Sequence, residues 1–210
     1  MSEKTKRRET GQPYHRPDFV DDLDATLRHA WACLARGVKD RRSPFHTPTI
    51  ATLGLDGRPR MRTVVLRAVD AGACTLRFHT DRRGLKSEEI ARDPRVAVHV
   101  YDARGKFQLR GEGIAHLHEE DALARAAWEG SRMMSRACYA TQPAPGAAID
   151  APGAFVLPQD EDAIAAGADH FSAVVITLGS IETLYLDHDG HRRARFSLDP
   201  ADPQAQWLVP

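Results

Sequence analysis

Arg62, Arg67 and Lys86 are the residues from which chemistry could start. They sit in Met61-Arg62-Thr63-Val64-Val65-Leu66-Arg67 and in Phe78-His79-Thr80-Asp81-Arg82-Arg83-Gly84-Leu85-Lys86-Ser87, two runs joined by the turn-like Val69-Asp70-Ala71-Gly72-Ala73-Cys74. Paired valines favour a pleated, half-buried strand, whereas an arginine is not buried without an anionic partner. Taken singly, such cations are ordinary surface residues whose ion pairs contribute little. Taken together, on neighbouring β-like runs, they form a candidate anion site.

The ordered pattern resembles the pyridoxamine 5′-phosphate oxidase family, flavoproteins built on the FMN-binding split barrel. The resemblance implies that Arg62, Thr63, Val64, Val65, Leu66 and Arg67 contact FMN, with His79 and Thr80 in place of a Tyr-Thr pair and Lys86 closing an Arg-Lys pair. Arg67 stands where the family has Lys, and Leu85 stands where the first cation of the pair would be. Arg83, with Arg82, is the nearby cation that can compensate. Further along, the resemblance assigns Gln108 to the flavin ring edge, a task for which an amide offers both donor and acceptor. It also assigns Gln142 to the phosphate region, Tyr185 to the place of a Trp, and Arg195, in Arg195-Phe196, to the flavin.

For the substrate, Ser131-Arg132-Met133-Met134-Ser135 is similar to the family's Ser-Arg-x-x-x-Ser phosphate-binding stretch, one residue shorter, which implies substrate contacts from Arg132 and Ser135. Arg67 and Arg193 are implied as further substrate contacts. At the C-terminal motif His191, Arg193 and Ala194 replace the family's Arg, His and Asp, which changes charge and protonation at the mouth of the site. The flavin carries the redox chemistry, and a guanidinium such as Arg67 aimed at its pyrimidine edge would stabilise the reduced form. No side chain is assigned as catalytic, and no metal is expected. His116 and His118 lack a third ligand of suitable spacing, and Gly111-Glu112-Gly113 lacks the third glycine of a dinucleotide fingerprint.

The elements that must position these residues are legible as short strands with a few helices. Phe19, Leu23, Leu27, Ala30, Trp31 and Leu34 recur at helical spacing from Asp18 to about Gly37, with acids at the start and Gly37 as the stop. Thr49 to Leu55 and Met61 to Ala68 flank Asp56-Gly57, a strong hairpin signal, and the second of these runs pairs in turn with Thr75 to His79. Ser87 to Asp93 reads as a short helix whose N-terminus could help to hold a phosphate. Arg95 to Tyr101 and Lys106 to Ala115 form another antiparallel pair, and Glu119 to about Tyr139 reads as a helix. The Pro-rich stretch 141–153 and the acidic stretch 158–168 read as loops, the second with at most one helical turn. Phe171 to Leu186 and His191 to Leu198 make a final hairpin turning at Asp187-His188-Asp189-Gly190. The fold expected is mainly β with flanking helices, a small antiparallel barrel; the term split β-barrel, FMN-binding type, comes from the resemblance.

Composition bounds the remaining choices. The 210 residues suit one domain, read as 17–210 behind a flexible arm at 1–16. Lys plus Arg and Asp plus Glu are both 29, for a net charge of +0, so no global field draws the chain to nucleic acid or a membrane. Three separated cysteines support neither a disulfide framework nor a zinc ribbon, and no apolar run is long enough for a span or a leader, so a soluble cytoplasmic protein is expected. The function expected is an FMN-dependent oxidoreductase acting on a small molecule, with a homodimer carrying FMN at the subunit interface implied by the resemblance. Two alternatives stand beside it: a true pyridoxine or pyridoxamine 5′-phosphate oxidase, and a non-catalytic flavin- or haem-binding protein.

Overall fold

A computed structural model describes residues 16–210; of the arm expected at 1–16, residues 1–15 lie outside them. Nine strands form one antiparallel sheet: β1 (Thr49–Leu53), β2 (Pro59–Thr63), β3 (Leu66–Asp70), β4 (Thr75–Asp81), β5 (Arg95–Asp102), β6 (Phe107–His118), β7 (Phe171–Tyr185), β8 (Arg192–Ser197) and β9 (Ala205–Leu208). The order is β2-β1-β5-β6-β7-β4-β3, with β8 beside β7 and β9 beside β8, so the sheet is not closed. β7 is its spine. Its first half pairs with β4, its second half with β8, and β6 runs along nearly all of it.

Five α-helices decorate the sheet: α1 (Leu23–Lys39), α2 (Leu85–Arg92), α3 (Ala122–Glu129), α4 (Met133–Ala137) and α5 (Glu161–Ala165). α1 starts where the Asp22 carboxylate accepts from the Ala25 N–H at 2.6 Å and buries Ala30, Cys33 and Leu34. The main core joins that face of α1 to Ile50, Phe78, Val98, Phe107, Leu109, Ile176, Ile181 and Phe196 from the sheet. A smaller cluster seats Trp128, Leu123 and Tyr139 on Phe171 and Ala173, fixing α3 to the start of β7.

Several expected boundaries differ, each for a physical reason. The run Met61 to Ala68 is two strands rather than one: it breaks at Val64-Val65, where Val64 N–H donates to the Pro48 carbonyl at 2.9 Å, so that β2 pairs with β1 and only β3 pairs with β4. Gly37 does not stop α1, which continues to Lys39; a side chain at 37 would collide with the Phe45 backbone, so close packing is what the glycine provides. The helix expected over Glu119 to Tyr139 is interrupted at Gly130–Arg132, where Ser131 Oγ donates back to the Ala127 carbonyl at 2.8 Å and α4 starts anew. The helical turn expected within 158–168 is α5, capped by Asp160, which accepts from the Ala163 N–H at 2.8 Å. β9 was not foreseen; it borrows its hydrogen bonds from β8.

Candidate functional site

Strand periodicity divides the expected cofactor residues between two places. His79 and Thr80 are consecutive on β4, so their side chains leave opposite faces of the sheet. Thr80 points inward with Phe78 and is buried, and Lys86, from the first turn of α2, donates its ammonium to Thr80 Oγ1 while lying 5.8 Å above the Phe78 ring. Opposite Thr80 on β7 stands Ser172, fully buried, its hydroxyl without a hydrogen-bond partner among the described residues. Arg62, from β2, reaches the same interior and donates to Thr52 Oγ1 and, at 2.5 Å, to Glu89 Oε2.

The electrostatics of this inner cluster are those of an anion cradle. Burial, with the neighbouring Arg62 charge adding to it, pulls the Lys86 ammonium down to about pKa 8 against the opposing attraction of Asp81 and Glu89. α2 begins at Gly84, which offers no capping side chain, so the first N–H groups of the helix have no side-chain acceptor there. Arg62, Lys86 and Glu89 together leave one net positive charge, an uncapped helix end and an orphaned hydroxyl. That set fits a phosphate. Glu89 is the residue that sequence reasoning missed: on α2 it reads as one more solvent-facing acid, and only the fold reveals it as the buried partner of Arg62.

Arg83 serves a different purpose. It pairs with Asp81 through Nη2 at 2.7 Å and donates to the carbonyls of Tyr139 and Thr141 at 3.1 and 3.0 Å. Its charge is therefore already matched, and its effect is to tether the 139–141 segment, with Gln142 following, to the corner between β4 and α2. Gln142 itself is exposed and pairs through its backbone with Val156.

On the outer face, Arg67, His79, Arg132 and Ser135 come together around a cavity of about 310 Å³, joined by Lys39, Arg41, His46 and Arg77. Sequence reasoning named the first four and missed the others. Arg77 could have been found, since it lies two residues before His79 and so must share its face. His79 is held neutral, pushed down to about pKa 3 first by burial and then by Arg77 and Arg67.

The remaining assigned residues lie elsewhere on the chain. Thr63 is exposed, while Val64 and Leu66 are buried in the core. Tyr185 is buried in the core, its ring edge-on to Phe19 at 6.1 Å. Gln108 bonds to the His99 ring at 3.3 Å on the other side of β6 from Phe107. Arg193 is paired with Glu182 at 3.0 Å, and Arg195 lines a separate shallow cavity with Ser180, Ser197 and Gln206. Both arginines pair across to the second half of β7, whereas Thr80 pairs across to the first.

Residues 28–119 match the family model for the pyridoxamine 5′-phosphate oxidase FMN-binding domain. Over those residues the chain is similar to that domain, and its antiparallel sheet with flanking helices matches the split-barrel fold. The matched segment contains Arg62, Thr80, Lys86 and Glu89 of the inner cluster; Ser172 lies beyond it. A pyridoxine/pyridoxamine 5′-phosphate oxidase from Rubrobacter xylanophilus is 37% identical over 98 residues, 45% of this chain and 44% of that protein. One from Thermosynechococcus vestitus is 32% identical over 124 residues, 54% of this chain and 58% of that protein. The chain thus aligns with about half the length of these curated oxidases.

Among solved structures, a pyridoxamine 5′-phosphate oxidase-related FMN-binding protein from Nostoc punctiforme superposes with a TM-score of 0.72 at 23% identity, covering 88% of this chain and 97% of that one. PhzG from Burkholderia lata, in complex with tetrahydrophenazine-1-carboxylic acid, gives 0.68 at 20% identity, covering 93% and 98%. These two likenesses show the split-barrel fold along nearly the full chain.

Proposed function

We propose that this chain is an FMN-dependent oxidoreductase acting on a small anionic molecule. The observation that carries the reading is the inner cluster: Lys86 on Thr80, Arg62 beside it, and the uncapped start of α2, all inside the segment that matches an FMN-binding domain. Bound there, FMN would supply hydride transfer, a reaction for which the protein's own tasks are binding, orientation and exclusion of water. Lys86, Thr80 and the α2 N–H groups hold the phosphate. Arg62 adds positive potential while Glu89 keeps its guanidinium in place. Arg67, Arg132 and Ser135, which share one cavity, orient the substrate.

The reading extends to a homodimer. Arg195 and Thr80 pair across to opposite halves of β7, roughly 30 Å apart along the strand at its usual rise. A flavin touched by both takes them from two chains. Absorbance of the purified protein, followed by titration with FMN, tests the proposal; a colourless protein that does not quench FMN fluorescence overturns it.

Pyridoxine or pyridoxamine 5′-phosphate oxidation is the narrower reading. Arg67, Arg132 and Ser135 around one cavity favour it, while the engagement of Arg193 with Glu182 removes one expected substrate contact. Formation of pyridoxal phosphate by the FMN-loaded protein decides it.

A further inference from the structure

The outer cavity holds more positive charge than a single phosphate can neutralise. Among the described residues five positively charged side chains line it, Lys39, Arg41, Arg67, Arg77 and Arg132, and no Asp or Glu does. None of the five has an ion pair among the described residues, where most other arginines near the site do, as Arg62 with Glu89 and Arg83 with Asp81. Arg67 and Arg77 are half-buried, and the Nε of Arg77 has no hydrogen-bond partner among the described residues. The Nε2 of His79, on the same strand, is likewise buried and has no hydrogen-bond partner among the described residues.

Such an arrangement is costly in the empty protein. Half-buried guanidinium groups repel one another, and unmatched buried donors lose their water without compensation. A phosphate monoester brings at most about two negative charges. It would leave most of this lining unmatched, and the rim formed by Lys39 and Arg41, supplied by the end of α1 and the loop after it, would have nothing to hold.

The geometry points to a substrate with at least two anionic groups, phosphate or carboxylate, one engaged by Arg67 and Arg132 and the second by Arg77 with Lys39 and Arg41. This deepens the oxidoreductase reading by naming its substrate class, and depends on it only in taking the outer cavity as the substrate site. Neutral His79, between Arg77 and Arg67 on the cavity wall, contributes a hydrogen bond rather than charge. Arg77 is the residue that distinguishes a double anion from a single one.

The test compares inorganic pyrophosphate with inorganic orthophosphate by calorimetric titration of FMN-saturated full-length protein at pH 7.5 and matched ionic strength. Pyrophosphate is expected to bind at least tenfold more tightly and to raise the thermal midpoint. Arg77→Gln should bring the two anions within about threefold, while Arg77→Lys keeps most of the preference. Should Arg77→Gln not fold, the rim double variant Lys39→Gln/Arg41→Gln reads the same ratio. Equal affinities in the unaltered protein, or a preference that Arg77→Gln and the rim variant both leave intact, overturn the inference. If the protein takes up no FMN, the titration is run on the Lys86→Gln variant, in which the inner cluster is silenced. The failure to take up FMN sinks the flavin reading; a preference found in that variant leaves the double-anion site standing, and equal affinities there overturn it as well.

Discussion

Lys86 couples ligand affinity and stability to pH in opposite directions. Its folded-state pKa is pulled down to about 8 from an ordinary 10.5. Between those values the unfolded chain binds more protons than the folded one, so the stability of the ligand-free protein rises with pH from about 8 to about 10.5. An anionic ligand requires the protonated form, so its affinity falls over the same range. FMN affinity is therefore expected to drop about tenfold between pH 7.5 and pH 9.5, measured by fluorescence quenching, while the melting temperature of the apoprotein climbs. Lys86→Met should weaken FMN binding by about ten- to a hundredfold, raise stability at pH 7 and abolish both pH trends. A pH-independent affinity in the unaltered protein would sink the assignment of Lys86 to the phosphate.

Arg62 gives a contrasting outcome. Its partner Glu89 has a side chain only 5% exposed, so Arg62→Ala strands a buried carboxylate and should cost about 3–5 kcal/mol in denaturant unfolding. Replacing both, as Arg62→Met/Glu89→Leu, should recover most of that loss without restoring full cofactor affinity. A substitution that left Glu89 undisturbed in stability would show the pair to be solvent-relaxed.

Gly111-Glu112-Gly113 shows how a short motif can mislead until its strand is placed. It lies in β6 where the ladder with β7 slips between Glu112 and Gly113, and a Cβ at Gly113 would collide with the Thr177 carbonyl. The glycine permits the bulge and the close approach of two backbones. Gly113→Ala should therefore destabilise the protein by about 2–4 kcal/mol, read from urea unfolding, with Gly111→Ala costing less because its nearest neighbour is the flexible Leu178 side chain. Equal costs at the two positions would rule out the bulge as the reason.

Much of the sheet was legible because its signals are local. Asp56-Gly57 makes its hairpin with Gly57 at φ 78°, Gly190 turns the last one at φ 111°, and alternating burial along β4 and β5 follows the sequence. What could not be read depends on distant partners. Val64-Val65 suits a strand on either side, so the handover from β1 to β4 is invisible until both neighbours are in place. The inner cluster was legible as an ordered series of cations, yet its buried acid was not, because nothing near Glu89 in sequence marks the face of α2 that turns inward. The outer cavity needs α1, β4 and the α3–α4 break at once; Arg132 and Ser135 were found through the motif, and Lys39, Arg41 and Arg77 had no motif to announce them.

The way the nine strands are ordered makes subunit pairing testable. The corner that holds Thr80 and Lys86 lies at one half of β7 and Arg195 at the other half, and the cleft between β1, β5, β6 and the 198–200 turn exposes a largely apolar lining that includes Ile114, itself 51% exposed. The proposed homodimer requires a twofold arrangement that brings each Arg195 to the other chain's corner, and this exposed apolar cleft is the surface it would bury. Ile114→Arg is then expected to shift the protein to monomers in size-exclusion chromatography and to weaken FMN binding in parallel. The sharper measurement mixes two variants, Lys86→Ala and Arg195→Ala, after separate purification and subunit exchange. In a mixed dimer one site inherits both substitutions and the other inherits neither, so about a quarter of all sites should regain native FMN affinity although neither parent binds well. If both residues serve one site within a single chain, no mixture can contain an intact site, and the titration would show only the sum of the two parents.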